Sequence, residues 1–215
     1  MRVTALKVQQ RNNRRVNVYV DNSYRFSLDA SQLRDLGIHV GSEYNERDIN
    51  NFTIEGEYKT LYDRSLSYVL VRPRSLKEVS DYLYKKTRDT LTKNGKIKKG
   101  VSPKLTTRVL KQLVERGYLD DETFARYWVE NRSLRKGASR RTIQEELRLK
   151  GVNQLFIDTA LKESERNDGQ ELLKIIAKKQ AHYQDDKKLT AYLLRQGFLY
   201  EDIKDAISIK NQSND

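Results

Sequence analysis

Three places in this 215-residue chain hold residue types that can do chemistry. Asp120-Asp121-Glu122 sets three carboxylates in a row, the raw material of a metal-dependent nuclease. Consecutive helical residues point in different directions, so this run does not converge on one ion. General acid–base pairs also need a pocket and shifted pKa values, which nothing in the sequence implies. The same residues suit a helix start, with Asp120 as the cap and Asp121 and Glu122 at the positive end of the helix dipole. Lys96-Ile-Lys-Lys-Gly100 has a phosphate-loop flavour, but it lacks the full Gly-x4-Gly-Lys-Ser/Thr pattern and a following parallel-sheet signal. His39 and His182 are far apart, and cysteine is absent. That removes a metal-ligand spacing, a disulfide framework and a thiol nucleophile. The chain therefore reads as a non-enzyme without metal or cofactor.

Charge points to a polyanion instead. The net charge is +12, yet residues 1–58 carry 8 basic and 8 acidic residues, while residues 64–111 carry 14 basic and 3 acidic. Residues 85–111 alone hold 10 basic and 1 acidic residue, without the acidic partners that solvated helices normally have. Lys85, Lys86, Arg88, Lys93, Lys96, Lys98 and Lys99 form the first candidate binding cluster. Arg126, Arg132, Arg135, Lys136, Arg140 and Arg141 form a second, opposed locally only by Glu130. Helix N-termini and arginines together favour phosphate oxygens. Among nearby aromatics, Tyr84 beside Lys85-Lys86 is the stacking candidate, whereas Trp128 reads as core packing. With net charge zero, the first 58 residues look like a poor phosphate binder.

These residues must be positioned by a largely helical scaffold. Val16, Val18 and Val20 alternate with polar residues, as do Tyr24, Phe26 and Leu28 beyond Asp21-Asn22-Ser23, which predicts a hairpin. Val3–Val8 supplies a third strand. Ser31–Leu36 is predicted as a short helix ended by Gly37, and Asn45–Phe52 as another. Everything after Tyr58 reads as helix. Lys99–Lys111 (KGVSPKLTTRVLK) aligns with Lys150–Lys162 (KGVNQLFIDTALK), and Gln196–Ser208 follows as a third copy. Each copy parses into three helices. The first helices run through Tyr62–Val71, Glu122–Leu134 and Gln170–Tyr183. The second start after the caps Ser75, Ser139 and Asp185, with a capping box at Ser75-x-x-Glu78. The third follow Gly100, Gly151 and Gly197, each read as a left-handed C-cap. Copy one alone carries an insertion near 87–98 (TRDTLTKNGKIK), with a turn at Asn94-Gly95.

At the junction of copies one and two the chain reads Gly117-Tyr-Leu-Asp-Asp-Glu-Thr-Phe-Ala125, followed by Glu146-Leu-Arg-Leu-Lys-Gly151-Val. With Arg74-Ser75-x-x-Glu78 upstream and three helical triplets, this resembles the RecX family of RecA regulators over residues 58–208. The resemblance implies binding in the groove of the RecA–single-stranded DNA filament. It also implies regulation, usually inhibition, of strand exchange, ATP hydrolysis and coprotease activity in recombination, DNA repair and the SOS response.

The expected fold is mainly α: three tandem three-helix repeats in a curved, elongated array behind a small β-rich N-terminal domain. Its boundaries are 1–57 for the β-rich domain, then 58–118, 119–166 and 167–210 for the repeats, with a disordered tail at 211–215. No signal-peptide core or run of about 20 apolar residues is present, so a cytoplasmic protein is expected, monomeric and away from membranes. Its expected partners are the RecA nucleoprotein filament and single- or double-stranded DNA. A direct DNA-binding helical module acting without RecA is the alternative, and a nuclease at Asp120-Asp121-Glu122 is the weaker one.

Overall fold

The computed structural model describes residues 1–10, 12–92, 94–132, 137–179, 182–183 and 185–212. The chain is mostly helical, with a small N-terminal sheet, and divides into two compact units. The first comprises Met1–Val71 and Tyr82–Arg116; the second comprises Arg72–Asp81 and Gly117–Asp215.

The first unit opens with an antiparallel sheet in the order β1 (Val3–Gln9), β2 (Asn12–Val20), β3 (Ser23–Asp29). Val20 pairs with Ser23 across a two-residue turn in which Asp21 and Asn22 take φ of 48° and 63°. Asp and Asn tolerate that left-handed backbone, which is why this tripeptide closes a hairpin. The alternating residues Val18, Val20, Phe26 and Leu28 are buried with Val3, Ile38 and Ile49. Asp29 then caps α1 (Ala30–Asp35) in a reciprocal capping box with Gln32, and Gly37 turns the chain at φ 63°.

Next comes α2 (Glu46–Leu70), one unbroken helix of 25 residues where two shorter ones were expected. No proline separates those stretches, and Gly56, the weakest helix former there, is used for packing. A Cβ at position 56 would press on the carbonyl of Ser27, so glycine lets α2 lie against β3. After α3 (Leu76–Lys86), the insertion folds as a small antiparallel hairpin, β4 (Thr90–Leu91) with β5 (Ile97–Lys98). This corrects the all-helical expectation beyond Tyr58. Asn94-Gly95 supplies the tip, with Gly95 at φ 71°. Gly100 is also not the left-handed cap that was expected. It follows the hairpin, and a Cβ there would collide with the carbonyl of Thr87, so close approach, not backbone handedness, selects glycine. Pro103 occupies the first turn of α4 (Pro103–Glu115).

In the second unit, α5 (Asp121–Asn131), α6 (Arg140–Leu149) and α7 (Gln154–Glu163) form one triplet. A second comprises α8 (Asp168–Lys179), α9 (Asp186–Arg195) and α10 (Tyr200–Gln212). α5 ends before the expected Leu134, which lies outside the described residues, and Tyr183 lies beyond α8. Each triplet has its own core: Phe124, Val129, Ile143, Leu147 and Ile157 in one, Leu172, Ile176, Leu189, Leu193 and Ile203 in the other. The in-register residues Val79, Ile143 and Leu189 are all fully buried.

The copies share a bracing device. The backbone N–H of Leu76, first residue of α3, donates to Asp121 Oδ1 of α5 at 2.8 Å. Likewise the N–H of Arg140, first residue of α6, donates to both oxygens of Asp168 of α8 at 2.9 and 3.1 Å. Each carboxylate satisfies an orphan donor at the start of the preceding copy's second helix. Burial raises the pKa of both Asp121 and Asp168. Gly151 and Gly197, at φ 79° and 85°, end α6 and α9 as the sequence predicts.

Candidate nucleic-acid interface

The first unit contains a cleft of about 490 Å³. β3 contributes Tyr24, Arg25, Phe26 and Ser27, and α2 contributes Gly56, Thr60 and Arg64. The end of α3 contributes Lys85 and Lys86, and the insertion adds Arg88, Lys98 and Lys99. Glu57 is the one carboxylate among the described lining residues. Arg25, Arg64, Lys85, Lys86, Arg88, Lys98 and Lys99 are all exposed, and none has a carboxylate ion-pair partner among the described residues.

Polar and ring contacts shape the cleft and leave these cations without carboxylate partners among the described residues. Arg15 is half-buried and donates to the carbonyl of Ser27 at 2.6 Å, to its hydroxyl at 2.8 Å and to the Gly56 carbonyl at 3.4 Å. Burial lowers its pKa, with Asp29 opposing that trend. Arg15, itself part of the lining, thus ties β3 to α2. Asp89 accepts the Gly100 N–H at 2.8 Å and pins the base of the insertion. Lys86 lies 4.6 Å from the Tyr82 ring centroid, and Tyr82 stacks on Tyr68 at 4.3 Å. Arg88 lies over Tyr84, whose hydroxyl accepts from it at 3.4 Å. That hydrogen bond lowers the Tyr84 pKa. Closely spaced cations without counter-charges attract phosphate oxygens, and exposed tyrosines beside them offer faces for bases.

The two expected clusters fare differently. Lys85, Lys86, Arg88, Lys98 and Lys99 come together on the cleft. Lys96 is exposed but not part of the lining, and Lys93 lies outside the described residues. In the second cluster, Arg126 pairs with Glu122 at 2.6 Å and Glu163 at 2.9 Å. Arg132 makes a forked contact with Glu146 at 2.7–2.9 Å. Arg140 is spent on the carbonyls of Leu161 and Arg166. Arg141 is exposed on α6, while Arg135 and Lys136 lie outside the described residues. Glu130 was the only local acid, but Glu146 and Glu163 reach these arginines from later helices.

The acidic run is engaged as well. Asp120 accepts the N–H groups of Glu122 and Thr123 as the cap of α5. The Thr123 hydroxyl, first among several contacts, lowers its pKa. Asp121 is the brace to α3. Trp128 packs on Phe124 and donates to Glu146 at 2.9 Å, with Lys150 over its ring at 4.3 Å. Sequence reasoning missed Arg15, Tyr24, Arg25 and Arg64. The signal for Arg25 was its place opposite buried Phe26 in the strand alternation, which sets it on the outer face.

Known proteins show which family this scaffold resembles. A family model described as the regulatory protein RecX N-terminal domain matches residues 1–45, and one described as the RecX second three-helix domain matches residues 120–161. A curated relative from Bacillus licheniformis, "Regulatory protein RecX", is 29% identical over 99% of this chain and 79% of its own length. One of the same name from Clostridium tetani is 26% identical over 96% of this chain and 93% of its own. The chain is therefore similar to RecX regulatory proteins along nearly its whole length. Among solved structures, a crystal structure of regulatory protein RecX superposes with a TM-score of 0.64 at 21% identity, covering 95% of this chain and 98% of the other. RecX from Lactobacillus salivarius gives 0.54 at 18% identity over 72% and 97%. The first matched segment contains Arg15, Tyr24 and Arg25, while the basic insertion lies outside both matched segments. No described helix is long and apolar enough to cross a membrane.

Proposed function

We propose that this RecX-like protein is a non-enzymatic, monomeric, cytoplasmic regulator of the RecA recombinase. It binds in the groove of the RecA–single-stranded DNA filament and usually inhibits it. Strand exchange, ATP hydrolysis and coprotease activity would be modulated together, because one bound regulator bridges protomers and competes with DNA strands and substrate proteins. The observation that carries this reading is the alignment with RecX regulatory proteins along nearly the whole chain. The unpaired cations of the cleft support DNA contact: a positive surface raises the encounter rate with a polyanionic filament, while shape selects it.

The test is a titration against preformed RecA–single-stranded DNA filaments across salt, read by filament ATPase and strand exchange. Inhibition that weakens steeply with salt is expected, since phosphate contacts release condensed counterions. Absence of any effect on ATPase and strand exchange would remove the regulatory reading. Equal, sequence-preferring binding to naked duplex would favour a DNA-binding module acting without RecA.

A further inference from the structure

We propose that the cleft of the first unit is a binding site for a single nucleic-acid strand, with the N-terminal sheet supplying part of it. The proposal rests on the regulatory reading above for the setting in which such strands occur. Its chemistry comes from the cleft itself.

Two sets of residues that are distant in sequence meet there. One is the basic end of α3 and the insertion. The other is Arg25 and Tyr24 of β3 with Arg64 of α2. The balanced charge of the first 58 residues conceals this, because Arg25 faces the cleft while most acids of that segment lie elsewhere. Arg15 is consumed by the Ser27 and Gly56 carbonyls, so its role is to position β3. Arg25 and Arg64 have no such engagement among the described residues, and they extend the cationic surface from the insertion to the sheet.

The aromatic component selects one strand over two. Tyr24 is 55% exposed, lines the cleft and meets Tyr19 edge-on, which leaves ring surface free. Tyr84, 59% exposed, stands on α3 immediately before Lys85. A phosphate-binding groove with exposed aromatic rings suits unstacked bases, which every single strand presents and a duplex turns inward. A volume of about 490 Å³ lies in the range of small-ligand sites and accommodates a short stretch of one strand. The lining is dominated by cations, which contact phosphates, and by the Tyr24 ring, which stacks on any base, so sequence-tolerant binding is expected.

The experiment uses the full chain without RecA and a fluorescent oligothymidylate, read by anisotropy across salt. Arg25→Glu and Arg64→Glu are each expected to weaken binding about tenfold or more and to lower the log–log salt slope by about 0.7 for every phosphate no longer neutralised. Tyr24→Leu is expected to weaken it about 5- to 150-fold, the range for one stacked base, with little change in slope. Arg25→Gln, milder than the reversal, and thermal melts of all variants separate binding from folding. Unchanged affinity in folded Arg25→Glu and Arg64→Glu would overturn the site. Equal affinity for a duplex of the same length, or undiminished binding by Tyr24→Leu, would overturn its single-strand character. If the wild type also fails to affect RecA filaments, the regulatory reading falls while these oligonucleotide results still decide the site. If filament inhibition holds but the oligonucleotide series is flat, the site falls alone.

Discussion

The cations of the two units are used in opposite ways. Around the cleft of the first unit, seven Lys and Arg side chains face solvent without carboxylate partners among the described residues. In the second unit, Arg126, Arg132 and Arg140 are committed to Glu122, Glu163, Glu146 and backbone carbonyls. Sequence-local charge is almost as basic in both places. The difference arises because acids from distant helices reach the second cluster, and among the described residues none reaches the first. Binding should therefore map to the first unit and stability to the second.

Reversing the cleft should give the largest effect. Lys85/Lys86/Lys98/Lys99→Glu is expected to weaken binding to RecA–DNA filaments by at least about 100-fold at moderate salt, since several phosphates go unneutralised at once. Its melting temperature should stay close to wild type, because exposed unpaired charges contribute little to folding. Filament pull-down with a parallel thermal melt checks both halves. Full binding would break the contrast between the units.

Glu78 offers the next test, on the stability side. It accepts from Arg72 at 2.8 and 3.3 Å, from Lys150 at 3.0 Å and from the Ser75 N–H at 3.2 Å. Burial alone would raise its pKa, but these donors together hold it at about 2, against an ordinary 4.5. A depressed carboxylate stabilises the fold above its unfolded pKa and loses that contribution as pH falls through the folded value. The contribution is at most about 3 kcal/mol at neutral pH, reduced by solvent screening, and disappears between about pH 4.5 and 2. Glu78→Gln should lower stability at pH 7 and flatten the acid limb of the stability curve, read by denaturant unfolding. An acid limb as steep as that of the wild type would show that Glu78 does not carry it.

How much of this was legible in sequence depends on range. Caps at Ser75 and Asp120, the Asp21-Asn22 turn and the buried register of Val79, Ile143 and Leu189 follow from residues within a few positions of one another. They match the structure because those interactions are local. Gly100 and Gly56 were misread or overlooked because each answers to a distant carbonyl, of Thr87 and of Ser27, which no local pattern encodes. The helix expected separately at Asn45–Phe52 merged into α2 because no proline breaks the stretch and Gly56 serves as a packing contact. The cleft was half legible. Lys85 to Lys99 stood out as a charge run, but Arg25 was averaged away in a balanced segment and Arg64 lay about 20 residues before the run. The pairing of Arg132 with Glu146 required knowing that α5 and α6 pack together.

Arg132→Ala should have a smaller, purely structural effect. It removes a forked contact to Glu146 in which both side chains are about one-quarter exposed, and it leaves Glu146 with the Trp128 N–H. A loss of about 1–2 kcal/mol is expected, measured by urea unfolding, with filament affinity unchanged wherever the protein is folded. A large binding defect in a fully folded Arg132→Ala protein would return the second cluster to the interface.

The smallest effect belongs to the braces between copies. Asp121 and Asp168 each accept a helix-start N–H from the preceding copy, and burial raises both pKa values. A raised carboxylate pKa means that the charged form is disfavoured in the fold, so its net contribution declines as pH rises through the ordinary Asp range. Asparagine keeps an acceptor for the N–H and removes the buried charge. Asp121→Asn and Asp168→Asn should therefore change stability at pH 7 by less than about 1 kcal/mol, whereas the alanine variants lose the cap and cost about 1 kcal/mol. Equal behaviour at the two positions would show that the copies share one mechanical joint despite their different charge. Asp121→Asn carries a second readout, because Mg²⁺-dependent DNA cleavage by the wild type that vanished in this variant would make the carboxylate catalytic. Retention of stability and filament inhibition by Asp121→Asn, with no cleavage by either protein, leaves Asp121 as the brace that its hydrogen bond to Leu76 describes.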